Sequence, residues 1–209
     1  MEITWLGHSC FRLRAKESTV VTDPCGKLTG YSMGRPSADI ITISCDDPAH
    51  NYADGVAGSP RVIAGPGEFE IAGTSVVGVS TFRDREKTGR NVAYVIELDD
   101  LRLAHLGGIG VVPTSDQVEE MANVDILLVP VGGGDALEAP GAAETVSLIE
   151  PKLVVAMHFK TDIEKQSLDP IDRFLKEMGA KTAETHLKLQ VTRSSLPEEM
   201  QVVVMDVKR

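Results

Sequence analysis

The chain has 209 residues, 42% of them hydrophobic and 25% charged, which is enough for one α/β domain with a sizeable core. Its 31 acids against 21 bases give a formal net charge of −10, an unfavourable balance for a nucleic-acid or anionic-membrane partner. With no run long enough to span a bilayer, no leader-like start and no linker or repeat, the expectation is one soluble cytoplasmic domain over residues 1–209.

Short strands fill the first half. Glu2–Leu6 and Cys10–Arg14 alternate with period two, and Thr19–Thr22 is β-branched up to the turn at Asp23-Pro24-Cys25-Gly26. Asp39–Ile43 is an apolar run suited to a strand covered on both faces. Glu68–Ile71 and Thr74–Val79 flank Ala72-Gly73, and Asn91–Leu98 and Leu101–Leu106 flank Asp99-Asp100, which predicts two hairpins. The second half alternates helix and strand. Thr114 and Gln117 form a capping box for a helix to about Ala122. Asp125–Val129 and Lys152–Met157 are buried strands on either side of a helix at Ala142–Ile149 that stops before Pro151. Asp169 as N-cap and Pro170 at the first position open a last helix. Its apolar face is Ile171, Phe174, Leu175 and Met178, and Gly179 closes it. Strands near Leu187–Thr192 and Gln201–Met205 finish the chain. No Gly-x-Gly-x-x-Gly follows the first strand, so a dinucleotide-binding fold fits badly.

Three segments follow directly on predicted strands: Ser44 to Asn51, Gly107 to Gly110, and His158 to Thr161. If those strands run the same way, the loops converge on one rim, where α/β folds place their ligands. The three cysteines, Cys10, Cys25 and Cys45, form no Cys-x-x-Cys pair and indicate neither a disulfide framework nor a zinc knuckle. Arg83, Arg85, Lys87 and Arg90 are interleaved with Asp84 and Glu86, so they make no basic patch.

Several segments, in this order, resemble the metallo-β-lactamase-like, zinc-dependent hydrolase branch. They are Thr4-Trp5-Leu6-Gly7-His8-Ser9, Thr22-Asp23-Pro24, Gly65-Pro66-Gly67-Glu68-Phe69-Glu70-Ile71, His105-Leu106-Gly107, Leu127 to Gly133, and Met157-His158-Phe159-Lys160-Thr161. The resemblance implies a four-layer αββα sandwich of two mixed β-sheets. It also implies a metal site, which this chain matches poorly. The family's His-x-His-x-Asp-His motif falls on residues 45 to 50, where Cys45, Asp47 and Ala49 stand and His50 is kept. The next histidine falls on Arg83, the bridging aspartate on Gly108, and the last histidine is kept as His158. His8 and His105 correspond to positions that are not ligands.

The expectation is therefore a degenerate member of that family with no catalytic residue and no cofactor. It would lack dinuclear zinc hydrolysis and keep its former cleft for a small molecule or a protein partner. Residual metal positions are His50, His158, Cys45 and Asp47, and Arg83, Gly108 and His8 line the cleft. Asp47 and Arg83 should pair as ions, because both positions point at one metal in the family. The alternative is a hydrolase using one zinc ion held by residual ligands. A nuclease is a third reading, against which the acidic balance counts.

Overall fold

The computed structural model describes residues 1–180 and 184–207. Two mixed sheets with helices make up the α/β architecture expected. The first sheet is built from β1 (Glu2–Gly7), β2 (Cys10–Arg14), β3 (Thr19–Thr22), β4 (Ile40–Thr42), β5 (Arg61–Ile63) and β13 (Leu189–Gln190), in the order β13-β1-β2-β3-β4-β5. The second holds β6 (Gly67–Ile71), β7 (Thr74–Phe82), β8 (Arg90–Leu98), β9 (Leu101–His105), β10 (Ile126–Pro130), β11 (Leu153–Met157), β12 (Glu184–His186) and β14 (Gln201–Met205), in the order β12-β14-β11-β10-β9-β8-β7-β6. The helices are α1 (Ser115–Glu120), α2 (Ala139–Ile149) and α3 (Ile171–Glu177).

Local chemistry accounts for most of these elements. β10 and β11 are buried at every position, as parallel strands covered on both faces must be. Both predicted hairpins form. Ala72 and Gly73 have φ of 51° and 73°, and Asp99 and Asp100 have φ of 50° and 61°, the doubly left-handed turn whose twist suits two-residue hairpins. The Thr114 capping box is present in full.

Four sequence expectations are corrected. Pro170, not Asp169, is the N-cap of α3, and the Asp169 carboxylate instead accepts from Arg173 Nη1 at 2.6 Å. α2 starts three residues early, at Ala139, with Pro140 in its first turn. The strand expected near Leu187–Thr192 is only Leu189–Gln190, β13, which pairs with β1, and the segment just before it, β12, pairs with β14 in the other sheet. β5 was missed because three residues with two exposed show no periodicity.

The sheets bury one continuous apolar core containing Trp5, Phe11, Ile41, Tyr94, Leu103 and Leu128. Tyr94 ties them together, since the single proton of its hydroxyl is shared between the carbonyls of Ile43 at 2.9 Å and Ile63 at 3.2 Å. Strand direction then places the functional region. β1 and β3 are both antiparallel to β2, and β4 is parallel to β3, so β1, β3 and β4 end along one edge. β9, β10 and β11 are mutually parallel. The two edges meet where the His158 N–H donates to the His8 carbonyl at 3.1 Å. No helix among the described residues is long and apolar enough to cross a membrane.

Candidate metal centre

Each strand ending at this junction delivers one residue: His8 after β1, Asp23 after β3, His50 from the loop after β4, Gly108 after β9, Asp135 from the loop after β10, and His158 after β11. Three of them sit in left-handed backbone, with φ of 53° at His8, 38° at Asp23 and 52° at His158. Non-glycine residues seldom adopt that conformation, and it costs about 1–3 kcal/mol where it is imposed. The fold imposes it here. Gly7 has φ of 115°, and a Cβ on it would lie 2.2 Å from Tyr31 Cγ. The His8 carbonyl accepts from Trp5 Nε1 at 3.0 Å as well as from His158. Trp5 in turn stacks on Phe159, with ring centroids 5.2 Å apart.

His8, His50 and His158 are all buried, and the ligand atoms they offer lie within 4.8 Å of one another. Buried carboxylates set two of the tautomers. Glu164 Oε2 lies 2.9 Å from His8 Nδ1, and Asp23 Oδ2 lies 2.7 Å from His50 Nδ1. A carboxylate only accepts, so each Nδ1 is the donor and each Nε2 is the nitrogen left to face a metal. Asp23 is held by Ser44, whose N–H donates at 2.8 Å and whose hydroxyl donates at 2.6 Å. Burial raises the Asp23 pKa, but the charges of His50 and His105 and the bonds from His50 and Ser44 bring it below the ordinary value. Burial is the main cause that lowers the His8 pKa, against the pull of Glu164. Burial, with His8, His50 and Arg83 nearby, puts His158 well below the usual histidine range. The last two rings are thus neutral, the form in which imidazole binds metal.

The residues fit one divalent ion. Nε2 of His8 and of His158 have no hydrogen-bond partner among the described residues, although both are buried. A buried ring nitrogen without a partner is costly, and three imidazoles, two of them braced by carboxylates, form a catalytic-type donor set. Two nitrogens bound to one zinc at about 2.0–2.1 Å stand at most about 4.2 Å apart, so small side-chain rotations close the group.

Around it stand the other residues singled out in the sequence. A Cβ on Gly108 would lie 3.5 Å from His50 Cε1, 3.6 Å from Arg83 Nε and 3.6 Å from Cys45 Sγ, so these residues share one cleft. The Cys45 thiol is pushed up to about 12, by burial first and Asp23 second, which leaves it protonated. Arg83 Nη1 donates to Asp47 Oδ2 at 3.1 Å, the ion pair expected. Burial raises the Asp47 pKa, but the Ala49 N–H and Arg83 bring it below the ordinary value. The other terminal nitrogen of Arg83 pairs with Asp135, whose second oxygen lies 3.8 Å from His158 Nε2.

Comparison with known proteins identifies the family. Residues 2–158 match the beta-lactamase superfamily domain. The chain belongs to the beta-lactamase superfamily. A superfamily crystal structure from Thermotoga maritima, described as a candidate Zn-dependent hydrolase of the metallo-beta-lactamase superfamily, is 36% identical. It superposes with a TM-score of 0.83 over 99% of each chain. A UPF0173 protein of Pyrococcus furiosus is 27% identical over 204 residues, covering 85% of this chain and 90% of its own. A UPF0173 metal-dependent hydrolase of Desulforamulus reducens is 27% identical over 196 residues, covering 77% and 84%.

Within this superfamily frame the functional expectation is corrected. The reading of a degenerate, non-catalytic protein without a cofactor is overturned by the three-imidazole group and by relatives named metal-dependent hydrolases. Sequence counting looked only at the usual ligand positions and found two histidines there. His8 lies outside those positions, and the strained turn after β1 carries its ring to the group. Cys45 and Asp47, counted among residual ligands, stand beside the three imidazoles rather than in the group. Sequence reasoning also missed Asp135 and Glu164. Asp135 had a signal, since it follows a buried strand of the kind used to locate the other loops. Glu164 had none.

Proposed function

We propose that this protein is a metal-dependent hydrolase using one divalent metal ion held by His8, His50 and His158. The observation that carries the reading is the buried trio itself, with ligand atoms within 4.8 Å and unpartnered Nε2 atoms on His8 and His158. A metal ion there supplies Lewis acidity, which activates water and polarises the oxygen of a scissile bond. The protein supplies the rest. Glu164 and Asp23 fix the imidazole tautomers. Gly108, with no side chain, leaves room beside His50 and Arg83. Arg83 presents a fixed positive charge at the cleft, where negative charge develops in hydrolysis.

The substrate is a small molecule, in keeping with an acidic chain that disfavours polyanions. The protein acts as one domain in the cytoplasm, consistent with three buried cysteines, all free. The test is metal content by elemental analysis, together with zinc binding by chelator-treated protein. About one ion per chain is expected, lost in His8→Ala and in His158→Ala, with hydrolysis of ester, lactone or phosphoester substrates lost in parallel. A wild-type protein that takes up no zinc, or uptake indifferent to both substitutions, overturns the reading.

A further inference from the structure

We propose that Asp135 is a fourth metal-binding residue, a carboxylate that Arg83 holds ready beside the three imidazoles. The inference rests on the one-ion reading above and extends it to a residue outside the usual ligand positions.

The loop that carries Asp135 is built against His158. A Cβ on Gly132 would lie 2.4 Å from the His158 carbonyl oxygen and 2.8 Å from Phe159 Cα. Only glycine permits that approach, and it sets the distance between the two segments. Gly133 and Gly134 follow with φ of 68° and 74°, turning the chain so that Asp135 faces back to the cleft. The turn is tied down by the Gly133 N–H, which donates to Leu137 O at 3.0 Å, and by the Asp169 N–H, which donates to Gly132 O at 2.8 Å.

The carboxylate then bridges two partners of different kinds. One oxygen pairs with Arg83 and the other stands 3.8 Å from His158 Nε2. His158 is a buried ring and this nitrogen has no hydrogen-bond partner among the described residues. Neither ring nitrogen of His158 has a fixed proton partner among the described residues, so with the proton on Nδ1 the Nε2 lone pair and the Asp135 carboxylate face each other as two electron-pair donors. A cation shared between them satisfies both. The spacing allows it, since donors at about 2.0–2.2 Å from one ion stand up to about 4.4 Å apart. Asp135 is 52% exposed, so it reaches the group from its open side and has room to close in. Arg83 is the positioning residue, with Asp47 holding its other terminal nitrogen. Three imidazoles and one carboxylate suit a first-row divalent ion of borderline softness, such as zinc, iron or nickel, better than magnesium, calcium or manganese.

The experiment uses the whole chain, stripped by chelator and titrated with Zn(II) against a competing chelator and with Co(II) followed by visible absorption. Wild type, Asp135→Asn, Arg83→Met and His158→Ala are compared. Asp135→Asn keeps the shape and a hydrogen bond to Arg83, and its circular dichroism and unfolding without metal serve as the control for folding. The expected result is at least a tenfold loss of zinc affinity and an altered Co(II) spectrum in Asp135→Asn, a smaller loss in Arg83→Met, and no binding in His158→Ala. Unchanged zinc affinity and Co(II) spectrum in Asp135→Asn, with binding abolished in His158→Ala, overturns the role of Asp135 and leaves the three-imidazole site standing. Failure of the wild type to bind either metal overturns both.

Discussion

Replacing Asp47 by alanine removes one of the two carboxylates that hold Arg83, and the structure sets the size of the effect. The Asp47 side chain is 27% exposed and that of Arg83 16%, with 3.1 Å between Nη1 and Oδ2. An exposed pair of this kind contributes about 0–1 kcal/mol, and breaking a fully buried one costs about 3–5 kcal/mol. This pair lies between those limits, and Asp135 still faces the guanidinium after the substitution. The ion-pair part of the loss is therefore about 1 kcal/mol. Asp47 also accepts from the Ala49 N–H at 2.8 Å, a local bond in the turn before His50 that contributes about another 1 kcal/mol. Asp47→Ala should then cost about 2 kcal/mol in all, well below the figure for a buried, isolated pair. A double-mutant cycle separates the two parts, because only the first depends on Arg83. Urea unfolding of chelator-treated wild type, Asp47→Ala, Arg83→Met and the double variant should give a coupling energy of about 1 kcal/mol. Additivity within about 0.3–0.5 kcal/mol refutes the ion-pair argument, and a loss above about 4 kcal/mol refutes the compensating role given to Asp135.

Other expectations are as direct. Glu164→Gln should weaken zinc binding about 10–100-fold with the fold intact by circular dichroism, since the carboxylate that sets the His8 tautomer is lost; unaltered affinity contradicts that role. Tyr94→Phe leaves the Ile43 and Ile63 carbonyls without their hydroxyl donor and should cost about 1–3 kcal/mol in urea unfolding; a change below about 0.5 kcal/mol contradicts the inter-sheet tie. His105 is fully buried, and burial lowers its pKa despite the attraction of Asp23 and the bond to the Ser9 carbonyl. Below the unfolded value of about 6.5 the unfolded chain therefore binds a proton that the folded ring refuses. Stability is present above that pH and falls by up to about 1.4 kcal/mol per pH unit below it. His105→Gln should flatten the slope of stability between pH 5 and 6.5 by up to one proton, and an identical slope contradicts the assignment.

The strands were legible because their signals are local. β2, β3 and β14 have the limits read from alternation and turn residues alone, and the capping box marked α1. The cleft was legible through strand ends: Gly108, Cys45, His50 and Arg83 meet there although they are far apart in the chain. What the sequence hid depends on long-range backbone geometry. His8 enters the group through a left-handed turn braced by Tyr31, Trp5 and the His158 N–H, and no local pattern announces such a turn. Asp135 joins through a triple-glycine loop whose close approach to residue 158 is visible only in three dimensions. The division of residues 184–190 between two sheets likewise follows from partners far away in the chain.

The bond from the His158 N–H to the His8 carbonyl also dictates timing. It joins residues 150 positions apart, and β1 gains its outer neighbour only from residues 189–190. On a ribosome the first strand therefore waits through most of synthesis before either partner exists. Contacts this distant in sequence make folding slow, and the growing chain exposes apolar strands meanwhile. The third imidazole arrives only with residue 158, so the proposed ion cannot template the early steps. Capture of the ion would come late, sealing two sheets that have already met, and its uptake would report that folding is complete.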